Sequence, residues 1–221
     1  MFGTNSKTSK GDSEKELTAI MYLAPADISG YNVCPKASEG CKTSCLFTAG
    51  RGAMNSVMQA RIRKTKLFFE NQKEFLNLLT NDLNLFNQYC IDNNFTGYVR
   101  LNGTSDITWE SYDIIQKYPN LKFYDYTKIY NRDISNLKNY RLTYSRSEDT
   151  TDLELNSALN NNISVAVVFD EIPVTWKNKK VINGDLNDLR YNEANLGLVI
   201  GLKEKGKAKK DTSGFVVRLK T

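Results

Sequence analysis

Histidine is absent from the 221 residues, which removes every Ser-His and Cys-His catalytic pair and every His-ligated metal site. Any proton transfer must therefore use Asp, Glu, Lys, Tyr or Cys. The four cysteines are too few for a disulfide framework in a chain of this length, so each is read as a metal ligand or as core. No run approaches the roughly eighteen uninterrupted apolar residues of a membrane helix. The polar segment from Met1 to Lys15 also lacks the apolar stretch of a signal peptide. A cytoplasmic protein with no membrane partner is expected. The charge excess is small, 30 Lys+Arg against 25 Asp+Glu, which permits contact with nucleic acid without requiring it.

Hydrophobic residues make up 40% of the chain, enough for one sizeable core, and a single domain over residues 16–221 is expected after a disordered tail at 1–15. The apolar run from Leu17 to Ala24 reads as a buried strand ended by Pro25. From Met54 to Ile91 the apolar residues fall at helical spacing with a break near Asn71, which predicts two consecutive helices. Short β-rich runs follow at 98–101, 122–126, 140–145, 163–169 and 196–202. Helical stretches are expected at Thr108–Tyr118 and Thr150–Asn160, the second begun by a cap at Asp149 or Thr150. Strand alternating with helix is the pattern of a parallel sheet. The expected fold is α/β with about six mainly parallel strands; of an open doubly wound sheet and an incomplete (β/α) barrel, the incomplete barrel is the reading adopted.

The segment NVCPKASEGCKTSCLFTAGRG places Cys34, Cys41 and Cys45 within twelve positions, on a loop that Pro35, Gly40, Gly50 and Gly52 allow to turn. Three thiolates that converge in this way suit a 4Fe-4S iron-sulfur cluster, in which one iron stays open to an external ligand. A structural zinc completed by Cys90 or Glu39 is the alternative, and plain packing of small apolar side chains is another. Cys90 itself, on a helix beside Ile91, reads as core.

The segments YLAPADISGYNVCPKASEGCKTSCLFTAGRG, RLNGTSDITWE, FYDYTK, SRSE, VAVVFDE and GLKEKGKAKKDTSGFVV together resemble the phage family named after gene product 88, over roughly residues 20 to 217. More distantly, the arrangement resembles radical-SAM-like proteins, with a cysteine motif after the first strand of an incomplete barrel. That likeness implies S-adenosylmethionine as a ligand, a small-molecule substrate and a place in the host cytoplasm. Radical-SAM enzymes usually separate their cysteines by three and then two residues. Here the gaps are six and three.

Each expected strand ends in polar residues, which a parallel sheet gathers at its carboxyl edge. Asn102, Gly103, Thr104, Ser105 and Asp106 form the candidate cofactor-binding loop, where a methionyl group is one candidate ligand and a turn capped by Ser105 or Asp106 is the structural alternative. Lys128, Arg146, Asp170 and Glu171 are the candidate catalytic groups, with Asp125, Tyr126, Glu148, Asp185, Asp188 and Arg190 nearby in the same class of loop. Two basic groups, Lys203 to Lys210 and Arg51, Arg61, Arg63, Lys64 and Lys66, would serve a nucleic acid or a host protein, or simply face solvent.

Overall fold

A computed structural model describes residues 1–3, 15–48 and 50–219, without the side chains of Thr48 and Arg51. Most of the expected tail lies outside the described residues, but Phe2–Gly3 form strand β1, antiparallel to β2 (Glu16–Met21). The helical stretch divides where its periodicity breaks, into α2 (Asn55–Glu70) and α3 (Gln72–Asp92). At the division Asn71 leaves helical geometry. Its N–H closes α2 on the Leu67 carbonyl, and its side chain accepts from Glu74 N to start α3. The preceding α1 (Glu39–Thr43) is a single short turn inside the cysteine loop.

The strands β3 (Thr96–Arg100), β4 (Lys122–Thr127), β5 (Tyr140–Ser145), β6 (Val165–Phe169) and β9 (Val199–Lys203) fall on the five expected β-rich runs. Helix α4 (Asp152–Asn160) is capped one residue later than expected, by a reciprocal box between Thr151 and Glu154. Strands β2, β3, β4, β5, β6 and β9 lie side by side in that order, all parallel.

Two expectations are corrected. The sheet has ten strands rather than about six: a hairpin of β7 (Thr175–Trp176) and β8 (Lys179–Asn183) extends it beyond β9, and β10 (Val216–Val217) pairs with β6. Its ends do not meet, so the described sheet is open. The segment expected as a helix at Thr108–Tyr118 instead holds two short 3-10 turns, Trp109–Ser111 and Ile115–Lys117. Separate anchors stretch it. The Trp109 indole donates to Asn102 Oδ1 at 3.1 Å, while the Tyr118 hydroxyl reaches Asn84 at 2.8 Å on α3.

Alternation along the strands gives the sheet two unlike faces. Val99, Leu101 and Phe123 pack beneath Phe68, Phe75, Leu79 and Leu83 of α2 and α3. Val165, Val167 and Phe169 meet Leu155 and Leu159 of α4 on the same side. The opposite face carries Tyr98, Arg100, Tyr124 and Tyr126. Arg100 pairs with Asp188 at 2.8 Å and lies over the Tyr126 ring at 4.6 Å, and Tyr98 meets Tyr191. The result is a sheet with one helical layer and a carboxyl edge where the loops after β2 to β6 and β9 collect.

Candidate metal centre

The chain leaves β2 through Pro25 and a left-handed Ala26 (φ 49°) and enters the cysteine loop. Cys34, Cys41 and Cys45 line one cavity of about 160 Å³, together with Ala26, Asp27 and Phe47. The loop is held from several sides. Ala26 N donates to Cys34 Sγ at 3.5 Å, and the Cys34 thiol points to the Thr104 carbonyl at 3.7 Å. Cys41 sits on α1, whose cap, Ser38, accepts from Cys41 N at 3.2 Å. Glu148, three residues beyond β5, accepts from Ser38 Oγ at 2.7 Å and from Gly40 N at 2.6 Å. A Cβ at Gly40 would lie 2.8 Å from the Phe215 Cβ. Only glycine lets α1 approach the C-terminal segment this closely.

Burial pushes all three thiols up, Cys34 to about 12. The nearby Lys128 ammonium opposes the rise at Cys41, and Arg61 opposes it at Cys45. Among the described residues, no three Cys, Asp or Glu side chains stand grouped as ligands of a single metal ion. The donor set suits a thiophilic group: three thiols line one cavity, and a cation lies within electrostatic range of Cys45.

That cation is Arg61 on α2, only 8% exposed. Its Nε and Nη1 lack hydrogen-bond partners, and its guanidinium lies 4.8 Å from the Tyr22 ring centroid. Burial lowers its pKa, while Tyr22 and Cys45 act in the opposite direction. One turn on, Thr65 accepts from Ala24 N at 2.8 Å and donates to the Arg61 carbonyl at 2.9 Å, which pins α2 to the end of β2. Lys64 is drawn down to about 8, by burial first and then by Arg61, and donates to the Met1 carbonyl. The expected basic face is thus divided: Arg61 and Lys64 turn inward and Arg63 and Lys66 outward, while the Arg51 side chain lies outside the described set.

The Asn102–Asp106 loop backs the cavity, and its polar groups are engaged within the protein. Asn102 Oδ1 accepts from Ser105 Oγ, Ile107 N and Trp109 Nε1. Gly103 has no room for a Cβ, which would stand 2.6 Å from the Met21 carbonyl. Thr104 donates to the Leu23 carbonyl, while Asp106 accepts from Lys128 N and Arg132. Beneath the loop, the buried Asp125 accepts from Asn102 N at 2.7 Å and from the Tyr140 hydroxyl at 3.0 Å. Desolvation pushes Asp125 up to about 7 against those hydrogen bonds and against Arg100 and Arg132.

The candidate catalytic groups are spread along the carboxyl edge. Lys128 donates to Ser145 Oγ at 2.9 Å, and of the four it alone stands beside a cysteine of the cavity. Arg146 holds the carbonyls of Gly214 and Phe215. Asp170 accepts from Leu219 N, and Glu171 is exposed; neither lines the cavity. Farther away, Asp188 pairs with Arg100, and Arg190 donates to the Gly184 and Asn187 carbonyls. Cys90 packs against Gly97 at the amino end of β3, and Glu39 is exposed beside Lys42. Neither supplies the cavity with a fourth ligand. Sequence reasoning missed three participants: Ser38 as the cap of α1, Thr65 as the pin of α2 and Asp27 as a carboxylate at the cavity. Only Ser38 had a local signal, standing three residues before Cys41 in a glycine-containing loop.

Comparisons with curated proteins and with solved structures give no match. A comparison with protein families matches residues 1–219 to the family described as Gene product 88. With nearly the whole chain matched, the protein belongs to the gene product 88 family.

Proposed function

We propose that the protein holds a 4Fe-4S cluster through Cys34, Cys41 and Cys45 and acts on a small-molecule substrate as a radical-SAM-like enzyme. The observation that supports this most is that three half-buried thiols line one cavity, with the buried Arg61, whose Nε and Nη1 lack hydrogen-bond partners, within electrostatic range of Cys45. Neutral thiols leave Arg61 uncompensated, whereas thiolates bound to a soft metal group would neutralise it. The consecutive order of the six parallel strands fits an unclosed barrel, with the cavity at its carboxyl edge. When bound, such a cluster would offer one iron without a protein ligand, to which the methionyl end of S-adenosylmethionine can attach.

The chain's own residues position the cysteines and hold a cation beside them. Glu148 fixes the turn that carries Cys41, and the Asn102–Asp106 loop supports Cys34 through the Thr104 carbonyl. Lys128 places a cation beside Cys41, with its ammonium oriented by Ser145. Arg146 ties down the segment around Phe215, and the cluster of Phe215, Ala208 and Val216 packs against Cys41.

The test is anaerobic reconstitution with iron and sulfide, followed by electron paramagnetic resonance of the dithionite-reduced protein with and without S-adenosylmethionine. A cluster signal that changes on addition supports the full reading. A cluster signal indifferent to S-adenosylmethionine removes the enzyme assignment and leaves the cluster.

A second reading, a metal-ordered protein that binds nucleic acid or a host protein, draws on one observation. The Gly206–Lys210 turn exposes Lys207, Lys209 and Lys210 and packs its Ala208 against Cys41 at the rim of the cavity. Binding of a labelled oligonucleotide that weakens steeply with salt would favour it, and the absence of binding at low salt would exclude nucleic acid as the partner.

A further inference from the structure

The core-facing stripe of α2 consists of Arg61, Thr65 and Phe68, spaced as successive positions on one helix face. A guanidinium therefore occupies a position that an amphipathic helix ordinarily gives to an apolar side chain. Thr65 fixes the helix against Ala24, so this face of α2 is held against the end of β2. Burial of a cation is costly unless an anion or full hydrogen bonding offsets it. Here Nε and Nη1 have no acceptor, and among the described residues no carboxylate forms an ion pair with Arg61. The charged group next along is Lys64, of the same sign. Asp82, the nearby carboxylate, is paired with the Met1 ammonium. The Tyr22 ring face offsets only part of the cost.

We infer that Arg61 is the counter-cation of the cysteine cavity, its Nε and Nη1 without acceptors from the protein itself and its charge neutralised when the cavity holds an anionic occupant. The identity of that occupant, a cluster with its three thiolates, rests on the function proposed above. Arg61 is a positioning residue in this account: it stands within electrostatic range of Cys45 and acts through its charge. Two consequences have opposite signs. Without the cluster Arg61 is a burden on stability. With the cluster it favours the more negatively charged, reduced form and so raises the reduction potential.

The test uses the full chain with Arg61→Met, which keeps length and removes charge, and Arg61→Lys, which keeps charge. In metal-free protein, Arg61→Met should raise the melting temperature by roughly 4 °C. In reconstituted protein it should make reduction at least tenfold less favourable, a drop of about 59 mV for a one-electron couple. Arg61→Lys should stay close to the wild-type potential. A metal-free Arg61→Met protein that melts at or below wild type would overturn the inference, as would an unchanged cluster potential. Failure of wild-type protein to take up iron would instead sink the cluster reading. The metal-free comparison would still decide whether Arg61 awaits an anion.

Discussion

Asp125→Asn is expected to exchange a small loss of stability in acid for a larger gain at neutral pH. Asp125 is buried beneath the Asn102 loop, and its pKa is pushed from 3.8 to about 7, chiefly by desolvation. A carboxyl raised in the folded state binds its proton more tightly there than in the unfolded chain. Its contribution to stability is therefore complete below pH 3.8 and is lost as pH rises towards 7. A shift of about three units corresponds to about 4 kcal/mol, lost at roughly 1.4 kcal/mol per pH unit. Asparagine does not ionise. Its oxygen can still accept from Asn102 N, and the Tyr140 hydroxyl can turn to accept from its amide. The cost at pH 4 is then about 1 kcal/mol. Urea unfolding of both proteins from pH 4 to 8 should give curves that cross near pH 5, with the variant about 3 kcal/mol more stable above pH 7. A difference that does not vary with pH would refute the reasoning. A variant that becomes relatively weaker as pH rises would show that Arg100 and Arg132 hold Asp125 ionised.

Gly40→Ala should cost about 1–3 kcal/mol by overpacking and loosen the Cys41 turn, since the added Cβ would stand 2.6 Å from Glu148 Oε1 and 2.8 Å from the Phe215 Cβ; urea unfolding checks it. Thr65→Val should cost about 1–3 kcal/mol because it leaves Ala24 N without its acceptor in a buried position. Thr151→Ala should cost about 1 kcal/mol through loss of the capping box of α4 and should leave metal content unchanged; unfolding and metal analysis of the same sample separate the two effects.

The sequence exposed those parts of the site that depend on near neighbours. The cysteine spacing, the break at Asn71 and the polar ends of the central strands are local patterns, and each falls where it was expected. Parts that depend on distant partners were hidden. Glu148 reaches Gly40 across 108 positions and Thr65 reaches Ala24 across 41, separations at which no spacing rule operates. Arg61 was legible only as one charge in a basic group, because a lone charged residue on a helix reads as solvated; its burial follows from the pinning of α2. The hairpin of β7 and β8 was missed because its turn, Lys177–Asn178, lies in a lysine-rich stretch whose strands are too short to alternate clearly. The expected helix at 108–118 had suitable composition, but Asn102 and α3 draw its aromatic residues apart.

The central claim is that Cys34, Cys41 and Cys45 together hold an iron-sulfur cluster. Its most direct test is iron, sulfide and zinc content of protein purified without oxygen, for wild type and for single alanine variants of all four cysteines. The account predicts roughly four irons and four sulfides per chain in wild type. It predicts their retention in Cys90→Ala and their loss in Cys34→Ala, Cys41→Ala and Cys45→Ala. Stoichiometric zinc without sulfide, or full iron in any of those three variants, would contradict it.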